Sequence, residues 1–168
     1  VEDPREGTGK YVVEKTAGAF TMQTGVMTKF DARGDDLQLI KFHGSYMQWD
    51  RPTESVRRRQ KLEPLYFFMV RVRIPAGVIT PSQWLGMDAL AGRYGTGTIK
   101  MTTRQAIELH GVPKRNLKKT IQGINALGLD TLAACGDVNR NVMASANPYL
   151  SRVHAGVHQA AQMIHARL

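Results

Sequence analysis

LYFFMVRVRIPAGVITPSQW, residues 65–84, is the stretch whose reading decides the fold. Its first ten residues are rich in β-branched and aromatic side chains and alternate at period two, which predicts a strand. Val70, Val72 and Ile74 share one face, while Met69, Arg71 and Arg73 share the other. A turn at 75–79 follows, and then a helix start. Thr80 is placed as N-cap, Pro81 at the first helical position, and Gln83 three residues after the cap. Trp84, Met87 and Ala91 continue at helical spacing, so that stripe is expected in the core.

Downstream, GTGTIKMTTRQAIELHGV (95–112) returns to strands, with Ile99 and Met101 facing one way and Lys100 and Thr102 the other. Ile107 and Leu109 point inward. KRNLKKTIQGINALG (114–128) puts Leu117, Ile121 and Ile124 on one helical stripe and stops at Gly128. Strand, helix, strand, strand, helix is an α+β order, that of a ferredoxin-like half-domain. A last helix is expected to start at Asn147 and Pro148, with Val153, Val157, Ala160, Ile164 and Leu168 as its apolar stripe. That pattern is still running at the final residue.

Upstream, LQLIKFHGSYMQWD (37–50) is expected to begin as a strand and to turn at Gly44. RPTESVRRRQKLEP (51–64) reads as a solvated basic loop or short helix. Residues 1–38 read as an extended arm with one or two short strands. The chain thus divides into an arm and basic loop (1–60), the half-domain (61–130) and the beginning of a further domain (131–168).

At 168 residues, 42% hydrophobic and 22% charged, the chain has the composition of a soluble globular domain. No apolar run is long enough for a transmembrane helix. The N-terminus VEDPREGTGK has no basic n-region and no apolar h-region, so no secretory signal is expected. It lacks an initiator Met, which suggests a processed chain or a piece of a longer one. One cysteine, Cys135, excludes an internal disulfide and a four-cysteine metal site built from this chain alone. A reducing cytoplasm is the natural setting. The formal charge of +9, from 23 Lys+Arg against 14 Asp+Glu, implies an anionic partner. Nucleic acid is the first guess from composition. The Arg57–Arg59 run weakens it, having no interleaved aromatics for base stacking.

Arg71 and Arg73 share a strand face, and Lys100 is expected to project onto it from a neighbouring strand. This is either an exposed basic side of a sheet or a cationic platform for a flat acidic ligand. TTRQ (102–105) adds Arg104 with two hydroxyls, suited to carboxylates through forked bonds. In ACGDVNRNVMASANP (134–148), Arg140 sits between Asn139 and Asn141. His154, His158 and His165 have spacings that can hold a metal, but no carboxylate or cysteine completes a site. A polar helix edge is the better reading. Cys135 reads as a small buried residue rather than a nucleophile.

LIKFHGSYMQWDR, RRRQKLEP, FMVRVRIPAGVIT, TTRQAIELHGV and GDVNRNVMASANPY occur in one order. Together, over about residues 37–168, they resemble the N-terminal part of siroheme-dependent sulfite reductase hemoproteins, of the nitrite/sulfite reductase family. The resemblance implies six-electron reduction of sulfite to sulfide at siroheme, coupled to a 4Fe–4S cluster whose cysteines lie outside this segment. By itself the segment would be inactive. Arg71 and Arg140 match positions facing the bound sulfite. Arg73, Lys100, Arg104 and His110 match the cationic cradle of siroheme, with Lys100 replacing a usual arginine and Glu108 a usual glutamine. Asn139 and Asn141 brace Arg140. The implied partners are the remainder of the reductase and an electron donor, a flavoprotein subunit or ferredoxin. The alternatives are a ferredoxin-type nitrite reductase fragment and a basic module for nucleic acid or an acidic partner.

Overall fold

The alternation at 65–74 becomes the central strand of a four-stranded sheet. The computed structural model describes residues 11–16, 19–24, 34–62, 64–135 and 140–167. In chain order the elements are β1 (Tyr11–Thr16), β2 (Ala19–Thr24), α1 (Gly34–Phe42), β3 (Ser45–Trp49), α2 (Arg51–Arg59) and β4 (Tyr66–Val72). A 3-10 turn at Pro75–Gly77 precedes α3 (Pro81–Tyr94), β5 (Ile99–Met101), β6 (Ile107–Val112), α4 (Lys114–Ala126) and α5 (Arg152–His165). β1 and β2 pair antiparallel as a separate hairpin, and the main sheet runs β3-β4-β6-β5, every pairing antiparallel. This is an α+β, ferredoxin-like half-domain.

The two faces of the sheet follow from the period-two pattern. Val70, Val72 and Leu109 are fully buried against α3 and α4, where Met87, Leu117 and Ile124 are equally closed to solvent. Each such side chain contributes about 1.5–3 kcal/mol of hydrophobic stabilisation. α3 is closed at its start by a complete capping box. The Gln83 amide N–H donates to the Thr80 hydroxyl at 3.2 Å, and the Thr80 N–H donates to Gln83 Oε1 at 3.0 Å. On the opposite face, register sets Lys100 of β5 against Glu108 of β6, and Glu108 against Arg71 of β4. A cross-strand row of charge results.

Four expectations are corrected. Residues 37–42 form the last two-thirds of α1 rather than a strand, and its start at 34–36 replaces the end of the expected extended arm. The sheet edge is already taken by β3, and α1 packs over it with Ile40 buried. The expected turn is present: Gly44 has φ +76°, and its carbonyl accepts from the Arg71 N–H at 2.8 Å. Only glycine fits, because a Cβ there would lie 2.8 Å from the Arg71 carbonyl oxygen. Trp84 is 40% exposed, since α3 commits Met87 and Ala91 to the core and leaves its first turn at the rim. α5 starts at Arg152 behind an Ser151 cap, whose hydroxyl accepts from the His154 N–H at 3.3 Å, and not at Asn147–Pro148. Its expected stripe is open: Val153, Val157 and Ile164 are exposed, and Ala161 is its buried residue. Leu168 lies outside the described residues.

The basic run 51–59 is a helix with no buried residue, as a solvated short helix requires. No helix among the described residues is long and apolar enough to cross a membrane.

Candidate functional site

Arg71 sits at the middle of the polar sheet face. Its Nε donates to Glu108 Oε1 at 2.8 Å, and its Nη2 donates to the same oxygen. Its Nη1 reaches the Ala134 carbonyl only loosely, at 3.4 Å. The other oxygen of Glu108 meets His110 Nε2 at 3.1 Å. Burial pushes the Glu108 carboxyl upward. Hydrogen bonds from Arg71 and His110 outweigh it and hold the group below the usual carboxylate range. Glu108 is therefore an anion that fixes one edge of the Arg71 fork and leaves the Nη1 edge for a ligand.

Two loops close on Arg71. The turn 102–106 brings Arg104, organised by the Thr102 hydroxyl, which accepts from the N–H groups of Arg104 (3.2 Å) and Ala106 (3.1 Å). The segment beginning at Arg140 is tied down by its neighbour. The buried Asn141 side chain accepts from the Ile74 N–H at 3.1 Å. It donates to the carbonyls of Ile74 (2.9 Å), Arg104 (2.9 Å) and Gln105 (3.3 Å). Gln105 completes the seam, donating to the Ala144 carbonyl at 2.7 Å and accepting from the Ala144 N–H at 3.1 Å. Asn141 thus fastens the strand end, the Arg104 turn and the Arg140 segment to one another.

What these contacts enclose is a recess of about 100 Å³ lined by Arg71, Thr102, Arg104, Ala134, Arg140 and Asn141, among others. Three guanidinium-bearing residues from three separate segments share it. Such a wall has the forked geometry and charge for a small oxyanion. Cys135 lies beside it but is fully buried, and burial pushes its thiol up to about 11, with Arg71 only partly opposing. It is no nucleophile.

The other residues singled out in the sequence fall elsewhere. Arg73 has the same strand parity as Arg71 but is 5% exposed and turns to another set of partners. Its guanidinium donates to Asp130 Oδ2 (3.5 Å), the Leu132 carbonyl (3.3 Å) and His165 Nδ1 of α5 (2.7 Å). Lys100 is exposed and His110 half-buried; both flank the recess along the charged row without lining it. Asn139 lies outside the described residues. His154 is engaged by the Ser151 hydroxyl at 2.8 Å, and no group of ligands able to hold a metal occurs among the described residues. Sequence reasoning missed Gln105 as a seam residue, and Asp130 and His165 as partners of Arg73. Only Gln105 left a local trace, in the TTRQ turn.

Residues 59–127 match the profile described as the nitrite/sulfite reductase ferredoxin-like half domain. The chain is 62% identical over 130 residues to a protein of Shouchella clausii named sulfite reductase [NADPH] hemoprotein beta-component, covering 77% of this chain and 23% of that one. A Xanthomonas euvesicatoria protein of the same name is 57% identical over 136 residues, covering 81% of this chain and 24% of its own. The chain therefore spans about a quarter of the length of these relatives. Among solved structures, that of the Mycobacterium tuberculosis NirA protein superposes with a TM-score of 0.59 at 24% identity, over 71% of this chain and 23% of that one. This last likeness is one of fold.

Proposed function

From the nitrite/sulfite reductase ferredoxin-like half domain that residues 59–127 form, we propose that this chain is the N-terminal part of an assimilatory-type sulfite reductase hemoprotein. The observation that carries the reading is the single recess lined by Arg71, Arg104 and Arg140. On this reading the recess takes sulfite. Arg71 offers the edge of its fork that Glu108 leaves open, and Arg140 supplies a second positive wall. Both attract the anion and stabilise charge as its oxygens leave.

Siroheme fits the donor set but not the volume. A cavity of about 100 Å³ holds a small oxyanion and not a tetrapyrrole; on this reading the chain would supply one wall of the cofactor's site. Arg104 and the exposed Lys100 have the chemistry for its peripheral carboxylates, with His110 beside them. When bound, siroheme supplies the iron centre at which electrons reach sulfite. A 4Fe–4S cluster would need cysteines from the rest of the polypeptide, since this chain has one and it is buried. Residues 131–168 would begin the domain that completes the cofactor site. The electron donor is a flavoprotein subunit or ferredoxin, and the setting is the cytoplasm.

The test is a reductase carrying this segment, purified with its cofactor. Arg104→Ala is expected to lose most of the tetrapyrrole absorbance. Arg140→Ala is expected to keep it and lose sulfite turnover by about a hundredfold or more. Absorbance and turnover indifferent to both changes would overturn the reading.

A further inference from the structure

We propose that Glu108 sets the charge of the arginine recess and so discriminates between dianions and monoanions, an inference that rests on reading the recess as the substrate site. Glu108 is 14% exposed and spends one oxygen entirely on Arg71, accepting from both Nε and Nη2. The recess therefore carries the positive charge of Arg71, Arg104 and Arg140 less that of a carboxylate held on the first of them. Around Glu108 stand Arg71 on β4, His110 on its own strand and Lys100 opposite on β5. Glu108 is the one carboxylate in that row.

The energy of an anion in the field of one added positive charge scales with the anion's own charge. Removing the carboxylate charge therefore gains twice as much free energy for a dianion as for a monoanion. The factor by which dianion affinity rises is the square of the factor for a monoanion. Glu108→Gln is the direct test, because the amide oxygen still accepts from Arg71 and keeps the fork in place.

The whole chain is titrated calorimetrically with sulfite and with nitrite, in mildly alkaline, low-salt buffer where sulfite is a dianion. Glu108→Gln is expected to tighten nitrite by about threefold and sulfite by about tenfold, for one charge roughly 6 Å away in a water-like dielectric. Glu108→Asp keeps the charge and is expected to leave the ratio of the two affinities within about twofold. Lys100→Glu, at an exposed position opposite Glu108, must weaken sulfite by the square of its effect on nitrite, which serves should Glu108→Gln not fold. Equal factors for the two anions, or weaker binding in Glu108→Gln, would sink the proposal. Binding that Arg104→Ala abolishes while Glu108→Gln leaves the ratio unchanged refutes the role of Glu108 and spares the site. Folded wild-type chain that takes up neither anion refutes both.

Discussion

α4 and α5 are nearly equal in length and carry similar apolar spacing, yet one is buried and the other is not. α4 closes Leu117, Thr120 and Ile124 completely against the sheet. α5 buries Ala161 and leaves Val153, Val157 and Ile164 about half to three-quarters exposed. The difference lies in what faces each helix. α4 follows β6 directly, across Pro113, and lies over β4 and beside α3. α5 starts at Arg152, well past the end of α4 at Ala126, and rests on the 3-10 turn at Pro75–Gly77. Amphipathic spacing identifies which side of a helix wants cover; it does not provide the cover. The open side of α5 is the larger uncovered apolar surface of the two helices.

The contrast is breakable. Ile124→Ala, which empties a closed site under α4, is expected to cost about 2–5 kcal/mol in a denaturant titration. A loss below about 1 kcal/mol would mean that α4 is as loosely seated as α5.

Acid should separate the two helices next. α5 is pinned at its end by His165, whose Nδ1 accepts from Arg73 at 2.7 Å and so must be unprotonated. Burial, and then the adjacent Arg73 charge, lower its pKa from the ordinary 6.5, although a histidine at a helix C-terminus would otherwise gain from the macrodipole. The unfolded chain thus takes the proton first. The stability this contact contributes is present above about pH 6.5 and is lost as pH falls through the folded value. Amide exchange at α5 should quicken over that descent while α4 stays protected, and His165→Gln should remove the difference. Equal acceleration in both helices would break the comparison.

Smallest of all is Val157→Ala, expected to change the stability of this chain by less than about 0.5 kcal/mol. In a longer polypeptide that covers α5, the same substitution should cost about 1 kcal/mol or more.

Local chemistry was legible and distant partnership was not. The capping box of Thr80 and Gln83, the alternation along β4 and the stripe of α4 are all written within a few residues. Each formed as its pattern required. So did the cross-strand row of Arg71 and Lys100, because the apolar residues buried on one face of each strand put the alternate residues on the other. Residues 37–42 misled because a short run such as LQLIKF suits strand or helix, and only the occupied sheet edge decides between them. Arg73 could not be separated from Arg71 by parity. What diverts it is Asp130 and His165, 57 and 92 residues away. Asn141 was noticed for its place beside Arg140, but its work is done on the backbone of Ile74, Arg104 and Gln105. A sequence does not announce such a seam.

Gly44 has a reach that its size conceals. Its carbonyl receives the amide of Arg71, and a Cβ on it would crowd the carbonyl oxygens of Arg71 and Thr131. A methyl group grafted there would prise β4 from beneath, one peptide unit from the guanidinium. On the proposed reading of the recess, a mutational screen scored on anion uptake would then flag position 44 alongside the arginines, although it does not line the recess.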